Sequence, residues 1–302
     1  MARRAVLIFN PWAGRGRAKP KLLPRLAERL AAIGIEARPA PTEGPGHATE
    51  LARQAAAEGI DLVLAWGGDG TVNEVARGLI AGPATLGILP GGTVNVWARQ
   101  TGIPLDPLDA CDVLARGRSA TLPVGMAGGR PFLLMAGFGL DAAVVHRLNS
   151  TRLKRGLGVP AFWMEGLRQL AVYPFPTFAV RAGGREYAAT TLIAGKVRSY
   201  GSGYVITPEA RVEEPFLDVV LFKGRRRIDY VRYLVGVMSG SHIGFPDVVH
   251  FKAERLEVEG SSPVYCQLDG EPAGMSPMRV EVLPNALQVM LPAVGSDSRK
   301  TS

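Results

Sequence analysis

Apolar positions along the chain fall into two textures. Over the first third, unbroken apolar runs alternate with stretches of helical spacing. Ala5 to Phe9 precedes a helix over Pro20 to Ile33, and Ile35 to Arg38 precedes a helix over His47 to Glu58. Asp61 to Trp66 runs into the helical spacing of Val72 to Ala76, Thr85 to Pro90 precedes a helix over Val94 to Gln100, and Leu105 to Ala115 reads as one more helix. Strands alternating with helices at this spacing predict a parallel sheet covered by helices on both faces. From about Thr121 the pattern changes to short apolar runs divided by turns: Thr121 to Gly125, Pro131 to Ala136, Thr177 to Arg181, Tyr187 to Ala194, Tyr204 to Thr207, Leu217 to Phe222, Arg255 to Val258, Val264 to Leu268, Met278 to Leu283 and Ala286 to Leu291. Helical patches at Leu140 to Leu148, Pro160 to Val172 and Ile228 to Met238 interrupt them. That texture predicts a second, mainly antiparallel domain, a sandwich or open barrel. The expected division is an α/β domain over 1–120, a β-rich domain over 121–293 and a polar, disordered tail over 294–302.

A length of 302 residues accommodates two such cores, and a hydrophobic content of 47% is ordinary for packed globular domains. The apolar run after Arg3-Arg4 stops at Asn10-Pro11, too early for a signal peptide, and no run approaches the ~18 residues of a spanning helix. The expected location is therefore cytoplasmic. The two cysteines, Cys111 and Cys266, are too far apart in sequence to suggest a zinc site or disulfide scaffold, and the four histidines lack metal-ligand spacing. A formal charge of +8 favours polyanionic partners. No aromatic-and-basic recognition signature accompanies it, so nucleic acid is not an expected partner.

Three glycine-bearing turns leave strand ends: Asn10 to Gly16, Gly67 to Thr71, and Gly91-Gly92-Thr93. In an open parallel sheet ligands bind outside the carboxyl ends of the strands, so these turns can face one crevice. Glycines there leave amides uncovered for a phosphate, and a helix that begins at the turn adds its orphan N–H groups. Thr71 and Glu74 carry the spacing of a capping box, which would start that helix at Thr71. The Walker lysine motif and a complete G-x-G-x-x-G are both absent. In the second half, Gln267-Leu-Asp-Gly-Glu271 places two carboxylates about a glycine just after an apolar strand. Such a pair suits a general base, and Asp-Gly is equally the sequence of a tight hairpin turn. Arg211 to Asp218 is a second acidic cluster that could hold a hard divalent cation and that otherwise reads as a solvated turn.

Asn10-Pro11 with Gly14, then GGDGTVNE, then P-G-G-T-V-N with Ala98-Arg99, then Y-G-S-G-Y around Tyr200, then L-D-G-E, in this order, resembles the bacterial diacylglycerol kinase family of soluble lipid kinases. The resemblance covers nearly the whole chain. It implies an N-terminal NAD-kinase-like α/β domain for ATP, a C-terminal β-sandwich domain, and an active site in the cleft between them. It implies that Asn10, Pro11, Gly14 and Thr42 line the nucleotide site, that Gly67, Gly68, Asp69, Gly70, Thr71 and Asn73 cradle phosphates, and that Gly92 and Thr93 belong to the same site. One of Asp269 and Glu271 would accept the proton of a lipid hydroxyl. The family's structural Mg²⁺ would fall on Glu214 with main-chain oxygens of Arg211 and Phe216, although Glu214-Pro215 stands where the family has Asp-Gly. Val96-Trp97 is a second departure. The expected activity is ATP- and Mg²⁺-dependent phosphorylation of diacylglycerol by an enzyme peripheral at the membrane; a homodimer is allowed. The rival readings are an NAD kinase and a catalytically silent nucleotide- or lipid-binding protein.

Overall fold

The computed structural model describes residues 2–12, 19–150, 159–200 and 203–293; Gly14 and the 294–302 tail lie outside the described residues. The chain forms two compact units, one made of the segment up to Pro123 together with that from Pro284, the other of Val124–Leu283. The expected linear division therefore changes at its C-terminal end. Residues after Pro284 return to the first unit, where Gln288 pairs in parallel with Thr85 and the Ala81 amide donates to the Ala286 carbonyl at 2.8 Å.

In the first unit β1 (Arg3–Phe9), α1 (Lys19–Ala32), β2 (Ile35–Pro41), α2 (His47–Ala57), β3 (Leu62–Gly67), α3 (Asp69–Leu79), β4 (Thr85–Pro90), α4 (Val96–Thr101) and α5 (Pro107–Arg116) follow in order. The strands lie β2-β1-β3-β4, all parallel. Every residue of β3 and β4 is buried, as strands covered on both faces require. Each fully buried Leu or Val there contributes on the order of 1.5–3 kcal/mol. β2 is half exposed and carries Pro39 and Pro41, which an edge position tolerates. Small residues let α2 and α3 approach closely: a Cβ on Gly78 would lie 2.5 Å from the Thr49 carbonyl oxygen and 2.7 Å from the Ala52 side chain.

β5 (Arg118–Ala127) carries the chain into the second unit, followed by β6 (Arg130–Phe132), β7 (Met135–Gly139), α6 (Leu140–Ser150), α7 (Val159–Val172), β8 (Phe178–Ala182), β9 (Arg185–Ala189), β10 (Thr191–Gly195), β11 (Ser199–Tyr200), β12 (Tyr204–Val205), β13 (Leu217–Phe222), α8 (Arg227–Ser239), β14 (Val248–Ala253), β15 (Arg255–Gly260), β16 (Tyr265–Leu268), β17 (Glu271–Met275) and β18 (Met278–Leu291). One antiparallel sheet runs β14-β13-β10-β7-β16-β17. A second is formed by the start of β18 with β15, β8 and β9. Phe138, Leu192, Val219 and Leu268 of the first share a core with Phe178, Val180, Val258 and Val280 of the second, the packing of a sandwich. β13 is buried on both sides: Leu217, Val219 and Leu221 enter that core, while Val220 and Phe222 meet an aromatic cluster with Tyr230 and Tyr233 of α8.

Several expected elements are redrawn. The apolar runs at 131–136 and 187–194 each split into two strands, and the runs at 278–283 and 286–291 join into β18, across Asn285 at φ 49°. β14 escaped the period because His250 and Lys252 interrupt it. The capping box does not form. α3 begins at Asp69 with Gly68 as its uncapped N-cap, and the Glu74 carboxylate instead accepts the Ala48 amide of α2 at 3.2 Å.

Cys111 in α5 and Cys266 in β16 are buried, and burial pushes their thiols up to about 11 and about 12. Reagents need the thiolate and access to it. Neither cysteine is therefore expected to react with a thiol reagent at neutral pH in the folded protein, and both should react once denaturant unfolds it. Prompt modification before unfolding contradicts this packing.

Candidate active site

The register of the parallel sheet sets Phe9 opposite Pro41 and Trp66, and Gly67 opposite Pro90. Asn10, Thr42, Gly68 and Gly91, which follow these strand ends, thus lie along one edge. Two backbone bonds prolong the ladder there: Thr42 N–H to Phe9 O and Gly91 N–H to Gly67 O, both 2.8 Å. Asn10 Oδ1 accepts the Trp12 amide at 2.9 Å, the short side-chain turn that asparagine favours. Pro11 is half-buried, and Trp12 beside it stands 86% exposed.

The second and third turns touch through glycine backbone. A Cβ on Gly92 would sit 2.5 Å from Gly68 Cα, and one on Gly67 would sit 2.4 Å from Thr71 Oγ1. No side chain caps the start of α3, so the amides of its first turn keep their donors, and Gly70 leaves a side-chain-sized space empty beside them. Donors of this kind, with the positive end of the helix dipole behind them, suit a phosphate.

The Asp69 side chain is engaged within the protein. Its Oδ2 accepts the Val96 amide and its Oδ1 the Trp97 amide, both at 3.0 Å, so the carboxylate closes the N-terminus of α4. Gly92 likewise spends its N–H on Asn95 Oδ1 at 3.0 Å, while Asn95 Nδ2 returns a bond to the Gly92 carbonyl at 3.1 Å. Asn95 adopts φ 52°, where asparagine is among the few tolerated side chains. The asparagine that ends the P-G-G-T-V-N motif thus serves the backbone of this turn. Thr42, Thr71 and Asn73 are buried, whereas Gly70 and Thr93 are exposed.

In the second unit Asp269-Gly270 joins β16 to β17 with Leu268 opposite Glu271. Both residues have positive φ, 52° and 81°, as a type I′ hairpin requires. The carboxylates on either side of the glycine have separate environments. Asp269 Oδ2 accepts the Leu133 amide at 2.8 Å, and Oδ1 accepts Leu134 and Met135 amides at 2.9 Å each. Glu271 is exposed. Buried Gln267 steadies the turn from below, accepting the Gly270 amide at 2.8 Å and donating to Asp141 at 2.8 Å. No sequence spacing linked Asp141 to this hairpin; the fold brings them together across 126 residues.

Arg211, Glu214 and Phe216 converge as expected, but on an amine. Lys196 Nζ donates to the carbonyl oxygens of Arg211 at 3.2 Å, Phe216 at 3.3 Å and Glu214. The Glu214 carboxylate faces Lys252 Nζ at 2.9 Å and Arg211 Nε at 3.3 Å, and the Lys252 hydrogen bond holds it below the usual carboxylate range. Burial pushes Lys196 down to about 8, against the pull of Glu214, which leaves it protonated at neutral pH. This set does not fit a hard divalent cation, which takes six or more oxygens free of a competing cation. Among the described residues no group of three or more His, Cys, Asp and Glu side chains could hold a metal. The sequence carries one signal for Lys196, a lone lysine ending the apolar run from Thr191.

The diacylglycerol kinase catalytic domain profile matches residues 4–127, and that of the YegS C-terminal NAD kinase beta sandwich-like domain matches residues 135–291. The diacylglycerol kinase of Bacillus subtilis (strain 168) is 30% identical over 96% of this chain and 97% of its own length. That of Staphylococcus carnosus (strain TM300) is 26% identical over 97% and 96%. A crystal structure from Bacillus anthracis str. Sterne matches the fold with a TM-score of 0.80 at 25% identity, covering 96% of this chain and 95% of that one. Matches spanning both units, at full length, leave one assignment: the chain belongs to the diacylglycerol kinase family, phosphotransferases whose acceptor is an alcohol group.

Proposed function

We propose that the chain moves the γ-phosphoryl group of ATP onto the hydroxyl of a membrane lipid, converting diacylglycerol to phosphatidic acid. The observation that carries the reading is a division of labour among carboxylates. Asp69 and Asp269 are held by backbone amides, while Glu271 stands exposed on a rigid hairpin. In the reaction the acceptor oxygen bonds to the γ-phosphorus, the bond to the bridging oxygen breaks, ADP leaves with that electron pair, and the hydroxyl proton passes to a base. Glu271 is that base, and Asp269 is a positioning residue. The uncapped amides of Asp69, Gly70 and Thr71 grip the phosphates, with Asn10, Pro11, Thr42 and Thr93 along the same edge as nucleotide contacts. Mg²⁺ arriving with the nucleotide would supply neutralisation of the charge that develops on the phosphates.

A lipid acceptor must be met at a membrane surface, and no helix among the described residues is long and apolar enough to cross one. α8 offers a face for lying on it. Ile228, Val231, Val235 and Met238 recur at helical spacing and are 66%, 43%, 59% and 56% exposed, while Tyr230, Tyr233 and Gly236 on the opposite side are buried. Exposed Arg225, Arg226 and Arg227 precede the stripe. An apolar stripe with arginines at its head suits the headgroup region of an anionic bilayer.

Incubation with labelled ATP, Mg²⁺ and diacylglycerol in mixed micelles should move label into phosphatidic acid; a preparation that labels no lipid hydroxyl contradicts the reading. Glu271→Gln should lower kcat by about 10²- to 10⁴-fold with its melting temperature unchanged. Asp269→Ala should lower the melting temperature as well, since it orphans three amides at roughly 1–3 kcal/mol apiece where they are buried. Full activity in Glu271→Gln removes the assigned base. For the membrane face, Val231→Asp with Val235→Asp should weaken sedimentation with phosphatidylglycerol vesicles by at least about tenfold, because each apolar side chain withdrawn from water is worth about 1.5–3 kcal/mol. Turnover of a water-soluble short-chain diacylglycerol should persist in that variant, and unchanged vesicle binding would place the docking surface elsewhere.

A further inference from the structure

The chain reaches Lys196 directly after β10, and the side chain is 2% exposed. A buried ammonium is costly unless its protons are all used. Here three N–H donors meet three main-chain oxygens, those of Arg211, Glu214 and Phe216, on the loop that leads into β13. Two further bonds hold the loop. The Glu214 amide closes a turn on the Arg211 carbonyl at 3.2 Å, and buried Asp218 accepts the Glu209 amide at 2.7 Å. Carbonyl oxygens converging on one spot are what a loop wrapped around a cation presents.

We infer that Lys196 is the cation of this loop: its ammonium occupies the oxygen cage covalently, and the loop keeps its shape without a divalent ion. The charge count agrees with this. Glu214 turns its carboxylate outward to Lys252, so the inward-facing set is made of neutral carbonyls, enough for a monovalent ammonium and too little for a hard dication beside it. The consequence reaches the acidic hairpin. The Lys196 amide donates to the Leu134 carbonyl at 2.8 Å, and the amide of the same Leu134 donates to Asp269 Oδ1 at 2.9 Å. One residue, Leu134, therefore joins the residue that fills the cage to the residue that orients the hairpin. This inference does not depend on the proposed activity.

The test is made on nucleotide-free protein, by metal analysis after gel filtration and by thermal melting with chelator or with added Mg²⁺ or Ca²⁺. The expected result is substoichiometric divalent metal and a melting temperature that neither chelator nor added ion moves. A full equivalent of bound divalent ion, or a melting temperature that falls with chelator, overturns the inference. Lys196→Met keeps the length of the side chain and removes the charge and donors. It should melt several degrees lower, the shift that roughly 1–3 kcal/mol produces in a domain of this size, or fail to fold. A Lys196→Met protein as stable as the parent also overturns the inference, and the measurements on the parent stand whether or not the variant folds.

Discussion

Backbone amides at loops must find acceptors, and in this chain carboxylates supply them at the positions that matter most. Asp69 takes the first amides of α4, Glu74 takes the Ala48 amide of α2, and Asp269 takes three amides at the entry to β7. Bonds from an amide to a charged acceptor are worth roughly 1.5–3 kcal/mol each, more than neutral pairs. They act at turns, where no ladder holds the chain, so each one fixes the relation of a loop to an element remote in sequence. The remaining geometry of the candidate site follows from that. With α4 closed by Asp69, the open helix terminus at the sheet edge is that of α3. With Asp269 engaged on both oxygens, the exposed acid of the hairpin is Glu271.

Glycine does the complementary work by removing side chains where backbones must touch. Gly68 and Gly92 pack Cα against Cα, and a methyl group on Gly92 would meet backbone that cannot yield. Gly70 is different, since nothing lies within reach of a Cβ there. The glycines of the signature therefore divide into those that let two loops approach and one that leaves open space beside the start of α3. A sequence pattern cannot separate these two uses, because both appear as the same letter.

Much of the architecture was legible in the sequence. The parallel unit was readable from its apolar runs because strands buried on both faces need no alternation, as β3 and β4 show. The sandwich was readable from its turn spacing. Less readable were features set by long-range partners. β14 hides behind His250 and Lys252; β18 crosses a left-handed Asn285 that reads as a break; and the return of residues after Pro284 to the first unit depends on a pairing with β4. The site motifs fall at strand ends and on a hairpin, but the tasks of the Asp69 and Asp269 side chains were not readable, because each is a set of bonds to amides distant in sequence. Lys196 belongs to the same class: its three acceptors are main-chain oxygens, which carry no residue identity for a motif to record.

The account turns on the open start of α3 as the phosphate grip, set against the closed start of α4. The most direct measurement is the response of backbone amide resonances in a ¹⁵N-labelled protein to a non-hydrolysable ATP analogue. The account predicts the largest shifts at Asp69, Gly70 and Thr71, with the Val96 and Trp97 amides still bonded to Asp69 and little moved. Shifts led by Val96 and Trp97 while residues 69–71 stay still would contradict it.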